Sequence, residues 1–163
     1  MADTKEIVAA GQTRGVIHCL TIPLSGEIAL LPNSAIAEVI GFKEPNPIDD
    51  APEWFLGFIE WREKRVPLIS FEAISGKELV TAKKSSRIAV LNTLNGNAQI
   101  PYVGILSQGI PSLAIVREDA LEDKEQTDQS RQVVGASVEV GGSEALIPDI
   151  DEIEKRLIGL NLL

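Results

Sequence analysis

Short apolar runs separated by turn residues dominate the chain. Residues 16–24 (VIHCLTIPL) are apolar at both parities, which predicts a strand buried on both faces. Ser25-Gly26-Glu27 is a turn, and residues 28–31 form a second strand stopped by Pro32-Asn33. Residues 34–40 carry Ile36, Val39 and Ile40 around Glu38. The alanines there allow a helical turn, while Val and Ile favour extended chain, so this stretch reads either way. Pro45, Pro47 and neighbouring acids mark 41–50 as a surface loop.

Residues 50–76, DAPEWFLGFIEWREKRVPLISFEAISG, carry the densest signals. Asp50 is placed to cap a short helix, with Pro52 in its first turn, Glu53 reaching back, and Gly57 as its stop. Residues 58–62 and 66–71 read as two strands joined by a Glu63-Lys64-Arg65 turn. Val66, Leu68 and Phe71 are predicted core, with Pro67 placed where a ladder needs no N–H.

The polar segment 77–86, basic at Lys83 and Lys84, is the candidate connection between two halves of the chain. Strands follow over 87–94 and 99–106 around Asn95-Gly96, a two-residue hairpin signal, and a further apolar run covers 109–116. Residues 118–128 hold Glu118, Asp119, Glu122, Asp123, Glu125 and Asp128 against Lys124, the composition of a solvated loop or exposed helix. Residues 133–140 and 145–148 form a second hairpin around Gly141-Gly142. Asp149 then opens a last helix, with Glu152 as capping-box partner and Ile150, Ile153, Leu157 and Leu160 on one face. Lys155 and Arg156 suit the negative end of its dipole. Periodicity supports two small β-barrels or a sandwich and does not choose between them.

Composition narrows the function. With 163 residues, 44% hydrophobic and 24% charged, the chain can build one domain or two small subdomains on a shared core. Only 4% is aromatic, so that core rests on aliphatic side chains. A net charge of −9 opposes binding to a phosphate backbone, and a β-barrel nucleic-acid binder would need a basic groove with stacking aromatics. One cysteine makes no internal disulfide, and neither a signal peptide nor a membrane span is legible, so a cytoplasmic protein is expected.

The stretch Gly57–Phe71 resembles the core motif of CheW-like domains, the adaptor modules of bacterial chemosensory arrays. That motif reads roughly Gly-Val-Ile-Asn-Leu-Arg-Gly-x-x-Val-Pro-Ile-x-Asp-Leu, and Gly57, Arg62, Val66 and Pro67 match it. Ile36, Glu38 and Val39 stand where the family has Val-x-Glu-(Val/Ile). Tyr102-Val103-Gly104-Ile105-Leu106 resembles its Val-Gly-Leu-Val-Val-Asp strand, and Gly135-Ala136 with Leu146-Ile147-Pro148-Asp149-Ile150 resembles its closing pair. Glu63 replaces a glycine, and Ser70 and Ser107 replace aspartates. Glu63 cannot take, without strain, the positive φ that a glycine there would permit, so the hairpin tip is expected to differ in shape from the family's.

The resemblance implies an all-β fold of two intertwined five-stranded SH3-like barrels sharing one core, plus the C-terminal helix, over residues 16–163 behind a flexible leader at 1–15. It implies no catalysis and no cofactor. The implied partners are a CheA-type histidine kinase, through its own CheW-like domain, and the cytoplasmic tips of chemoreceptors, with flagellar chemotaxis or pilus-driven twitching as output. The expected partner-binding residues are Ile36, Glu38, Val39, Gly57, Arg62 and Val66. They are expected to form two surfaces, the Arg62 hairpin and a groove near Ile36 and Glu38 between the halves.

Other chemistry has weaker support. A small β-barrel hydrolase or isomerase is the rival reading and needs a nucleophile with a base. Neighbouring side chains on a strand point to opposite faces, so His18 and Cys19 cannot serve as that pair. One His and one Cys offer no spaced metal-ligand set, and helix caps account for Asp50 and Asp149. Trp54, Phe55 and Trp61 cluster around the Arg62 hairpin as core filling or as binding anchors.

Overall fold

The computed structural model describes residues 15–123 and 132–162. Strands β1 (Val16–Pro23) and β2 (Ile28–Pro32) open a first sheet, and a 3₁₀ turn at Asn33–Ala35 carries the chain into a second. The undecided stretch 34–40 therefore does both: one tight turn, then extended β3 (Ile36–Gly41). The second sheet continues with β4 (Phe55–Trp61), β5 (Lys64–Ile69), the short helix α1 (Phe71–Ile74), β6 (Arg87–Asn92) and β7 (Tyr102–Ser107). The chain then returns to the first sheet for β8 (Ser112–Arg117), the two-residue β9 (Glu122–Asp123), β10 (Val134–Val140) and β11 (Ser143–Pro148). Helix α2 (Ile150–Ile158) closes it.

The sheet orders are β8-β1-β2-β11-β10-β9 and β3-β6-β7-β5-β4. Each is thus a five-stranded sheet, the first extended by β9, and the two are intertwined because the first is built from both ends of the chain. Each contains one parallel pair, β2 with β11 and β5 with β7. The segment 77–86 links α1 to β6 within the second sheet, so the expected connection between halves is misplaced. The chain crosses at 33–35 and at 108–111 instead. Ser107, fully buried, closes the second crossing: its Oγ donates to the Gly109 carbonyl at 2.7 Å.

Burial explains the continuous apolar runs. On β6, Ala89 and Leu91 face a core shared by both sheets and α2, while Ile88 and Val90 face a separate core within the second sheet. A strand covered on both faces needs no polar parity. Leu68 and Val66 belong to that second core, and Phe71 to the shared one. Pairing of β5 with β7 begins at Leu68, so Pro67 sits where that ladder has not started. Strand β1 is buried on both faces only in part: Cys19 and Ile22 are covered, but Val16 and His18 are exposed.

Several local expectations change. No helix follows Asp50, which has φ 63 and lies in a turn; Phe55 already pairs with Ile69. Gly57 is no helix stop but sits at a β4 bulge with φ 129. Its partner is the 41–50 loop, where Asn46 exchanges backbone hydrogen bonds with Phe58 at 2.8 and 3.0 Å. A Cβ on Gly57 would lie 2.3 Å from the Asn46 carbonyl oxygen.

Phe71 opens α1 instead of ending a strand. Ser70 caps it, its Oγ accepting from the Ala73 N–H at 3.2 Å, the role an aspartate there would also fill. Asn95-Gly96 lies in a loop between Asn92 and Tyr102, not in a two-residue hairpin, and the Asn95 amide donates to Asp151 and Glu154 on α2.

The C-terminal expectations hold more closely. Gly141 and Gly142, with φ 56 and 86, make the β10–β11 turn. Asp149 caps α2 by accepting from the Glu152 N–H at 3.1 Å, but the Glu152 carboxylate pairs with Arg156 at 3.1 Å instead of reaching back. Within 118–128 the chain makes a 3₁₀ turn at Glu118–Ala120 and then β9. The remainder, like the leader before Gly15, lies outside the described residues.

Candidate adaptor surfaces

The β4–β5 hairpin turns on Arg62 and Glu63, not on residues 63–65. Both carry positive φ, 49 and 63, and Trp61 pairs with Lys64 across the turn. Two central residues with positive φ give the twist that tight hairpins need. Neither is glycine, so the turn holds two β-carbons in a left-handed conformation that costs about 1–2 kcal/mol each. Glu63 thus keeps the backbone shape expected of a glycine and carries its strain.

Glu38 meets this turn from across the sheet. Strands β3 and β4 are the two edges of the second sheet, yet the Trp61 indole N–H donates to Glu38 Oε1 at 2.8 Å and Arg62 Nη2 lies 3.2 Å from the same oxygen. The sheet therefore curls until its edges touch. The Arg62 guanidinium also stacks on the Trp61 ring at 4.6 Å, and Trp61 packs edge-on to Tyr102 at 4.8 Å. Trp61 is buried; the ion pair is not, with Arg62 and Glu38 side chains 65% and 42% exposed. The two surfaces expected from sequence are here a single surface.

The other expected residues fall into two groups. Ile36 packs against the shared core and Val39 is half-buried on β3 opposite Ala89. Gly57 and Val66 are buried and face no solvent. They shape the hairpin from beneath. Beside Arg62, the exposed Arg65 stacks on Phe58 at 3.7 Å, giving the hairpin a second cation on an aromatic ring.

A second surface was missed. Ile110, Leu113 and Ile115 are 68%, 79% and 67% exposed. Leu113 and Ile115 share one face of β8, an edge strand, and pair with Leu20 and His18 of β1. Only Val116 of β8 is fully buried. The sequence reads 109–116 as an undivided apolar run, in which nothing tells which parity faces out. Among the described residues nothing covers this row, which makes it a candidate interaction surface.

His18 lies on the exposed side of β1 in that row, while Cys19 points the other way and is buried. Burial pushes the Cys19 thiol above its ordinary range, which disfavours the nucleophilic thiolate. Among the described residues, no three His, Cys, Asp or Glu side chains stand close enough together to hold a metal ion.

The comparisons agree with this architecture. The family model described as CheW-like domain matches residues 18–156. A crystal structure of the scaffolding protein CheW from Thermoanaerobacter tengcongensis superposes with a TM-score of 0.70 at 18% identity, covering 82% of this chain and 84% of that one. No curated protein sequence matches significantly. Because the family match spans most of the chain and the solved structure shares its fold, the chain belongs to the CheW-like domain family.

Proposed function

We propose that this member of a family of non-catalytic scaffold adaptors couples chemoreceptors to a CheA-type histidine kinase in bacterial chemosensory signalling. One observation carries the reading: the molecule presents two surfaces of different chemistry. One is the cationic Arg62–Arg65 hairpin closed by Glu38; the other is the apolar row of Ile110, Leu113 and Ile115. An adaptor must engage two partners at once, which requires two separate surfaces. We assign the apolar row to the receptor, taking its tip to dock as a helix through apolar anchors on one face, and the hairpin to the kinase's CheW-like domain. Residues 16–163 act as one domain in the cytoplasm. Among the described residues no helix is long and apolar enough to cross a membrane.

Calorimetry with a receptor-tip fragment and with the kinase domain tests the assignment. Leu113→Asp is expected to weaken receptor binding by more than about tenfold and leave kinase binding intact; Arg62→Glu should do the reverse. If both variants bind both partners as the parent does, the reading fails.

A further inference from the structure

A cavity of about 610 Å³ opens between the β1–β2 turn and β11, lined by Gly26, Glu27, Lys77, Ser143, Glu144 and Leu146 among others. Neither surface described above uses it. Glu27 is its chemical centre. The Glu27 side chain is only 9% exposed; Oε1 lies 3.1 Å from Lys77 Nζ, and Oε2 is shielded from solvent without a hydrogen-bond partner. An ionised carboxylate has about four acceptor positions, and a buried one left unfilled is costly.

The surroundings add negative charge. Glu72 is 1% exposed, and its carboxylate accepts from Ser25 N at 2.9 Å, Ser70 Oγ at 3.3 Å and Gln108 Nε2 at 3.4 Å, all neutral donors. The Lys77 N–H donates to the Glu72 carbonyl at 2.8 Å, and Ser25 is two residues from Glu27, so both carboxylates belong to one neighbourhood. Among the described residues, the other orphaned buried side-chain atom is Gln108 Oε1, again an acceptor. Around Glu27 and Glu72 the described donors are neutral apart from Lys77. Lys77 supplies one ammonium, but its side chain is 48% exposed and its segment has no regular structure up to β6, so it can withdraw at little cost.

We infer that this cavity binds a cationic N–H donor, a guanidinium or alkylammonium group, through Glu27, with Lys77 as the displaceable occupant. A guanidinium offers five donors where an ammonium offers three, so in Lys77's place it can hold Oε1 and, with a rotation of the Glu27 carboxylate, Oε2 as well. The group arrives either on a free small cation or on a partner's arginine.

The test is a two-dimensional NMR titration of the ¹⁵N-labelled full chain with agmatine and with a neutral capped peptide holding one arginine. Shifts are expected at residues 26–28 and 143–146. Lys77→Met removes the competing cation and should tighten binding about tenfold; the near-isosteric Glu27→Gln should weaken it at least about tenfold. Dispersed spectra of both variants establish that they fold, and Lys77→Met tests the site even if Glu27→Gln does not. Tighter binding of the peptide identifies a partner's arginine as the occupant, and equal or tighter binding of agmatine a free cation. If neither ligand moves these resonances in the parent or in Lys77→Met, or if folded Glu27→Gln binds as the parent does, the site does not exist.

Discussion

Arg62, in the turn between β4 and β5, lies 3.2 Å from Glu38 on β3, at the opposite edge of the same sheet. The contact is exposed, so the pair itself contributes about 0–1 kcal/mol. The two residues are nevertheless not equivalent, because Glu38 Oε1 is also the acceptor for the buried Trp61 indole. Arg62→Ala should cost less than about 1 kcal/mol. Glu38→Ala should cost about 1–3 kcal/mol, since it strands a buried donor, and Glu38→Gln should recover most of that. Glu63→Gly should stabilise by about 1 kcal/mol by releasing the left-handed strain. Urea denaturation of the four variants checks the order; equal losses for Arg62→Ala and Glu38→Ala would remove the indole argument.

Gly57 and Gly96 separate two costs that are often merged. Both have positive φ, 129 and 65, but a Cβ at Gly96 meets nothing within 4 Å while one at Gly57 strikes the Asn46 backbone. Gly96→Ala should therefore lose about 1 kcal/mol, the conformational term alone. Gly57→Ala should lose about 3 kcal/mol or more, because the 41–50 loop must also move. Thermal melts distinguish them, and a Gly57→Ala loss no larger than that of Gly96→Ala would mean that the loop does not press on β4.

Ser70 invites a misleading repair. Aspartate is as good a helix cap as serine, and the family pattern carries it here. In this chain Ser70 Oγ lies 3.3 Å from Glu72 Oε1, with both residues 1% exposed. Ser70→Asp would bring two buried carboxylates together, so it should destabilise by about 3 kcal/mol at neutral pH despite preserving the cap. Adding Glu72→Gln should restore most of the loss, and a stable Ser70→Asp single variant at pH 7 would refute the account.

Cys19 should be inert in the folded protein. It is 4% exposed, and burial raises its pKa, so at pH 7–8 the thiolate is scarcer than in a free cysteine. Reaction with a thiol-specific disulfide reagent is expected to track unfolding, and full modification within seconds under native conditions would contradict this burial.

The misread helix at 50–57 shows where local signals end. Asp50, Pro52 and Glu53 form a plausible cap, yet a cap stabilises by about 1 kcal/mol, less than the burial of the two aromatics behind it. Phe55 and Phe58 both enter the shared core only as strand residues. Asn95-Gly96 failed for the same reason: a tight turn there would draw Asn95 away from α2, where its amide meets Asp151 and Glu154. Glu38 and Arg62 were both legible as candidates, but their meeting was not. They are 24 residues apart, and nothing local says that β3 and β4 are the edges of one curled sheet.

Sequence alone determined most strands, the glycine turn at 141–142 and the capped C-terminal helix, because alternation, positive φ and capping act within a few residues. It also carried the family motif from Gly57 to Phe71. Only the tertiary structure decided which parity of each strand is covered. Ile88 and Ala89 on β6 are both buried because layers lie on both sides, whereas Leu113 and Ile115 on β8 are as apolar and face outward because, among the described residues, no element packs on that face of β8. Side-chain hydrophobicity is a property of the residue; burial is a property of its neighbours, and those are set by contacts across the whole chain.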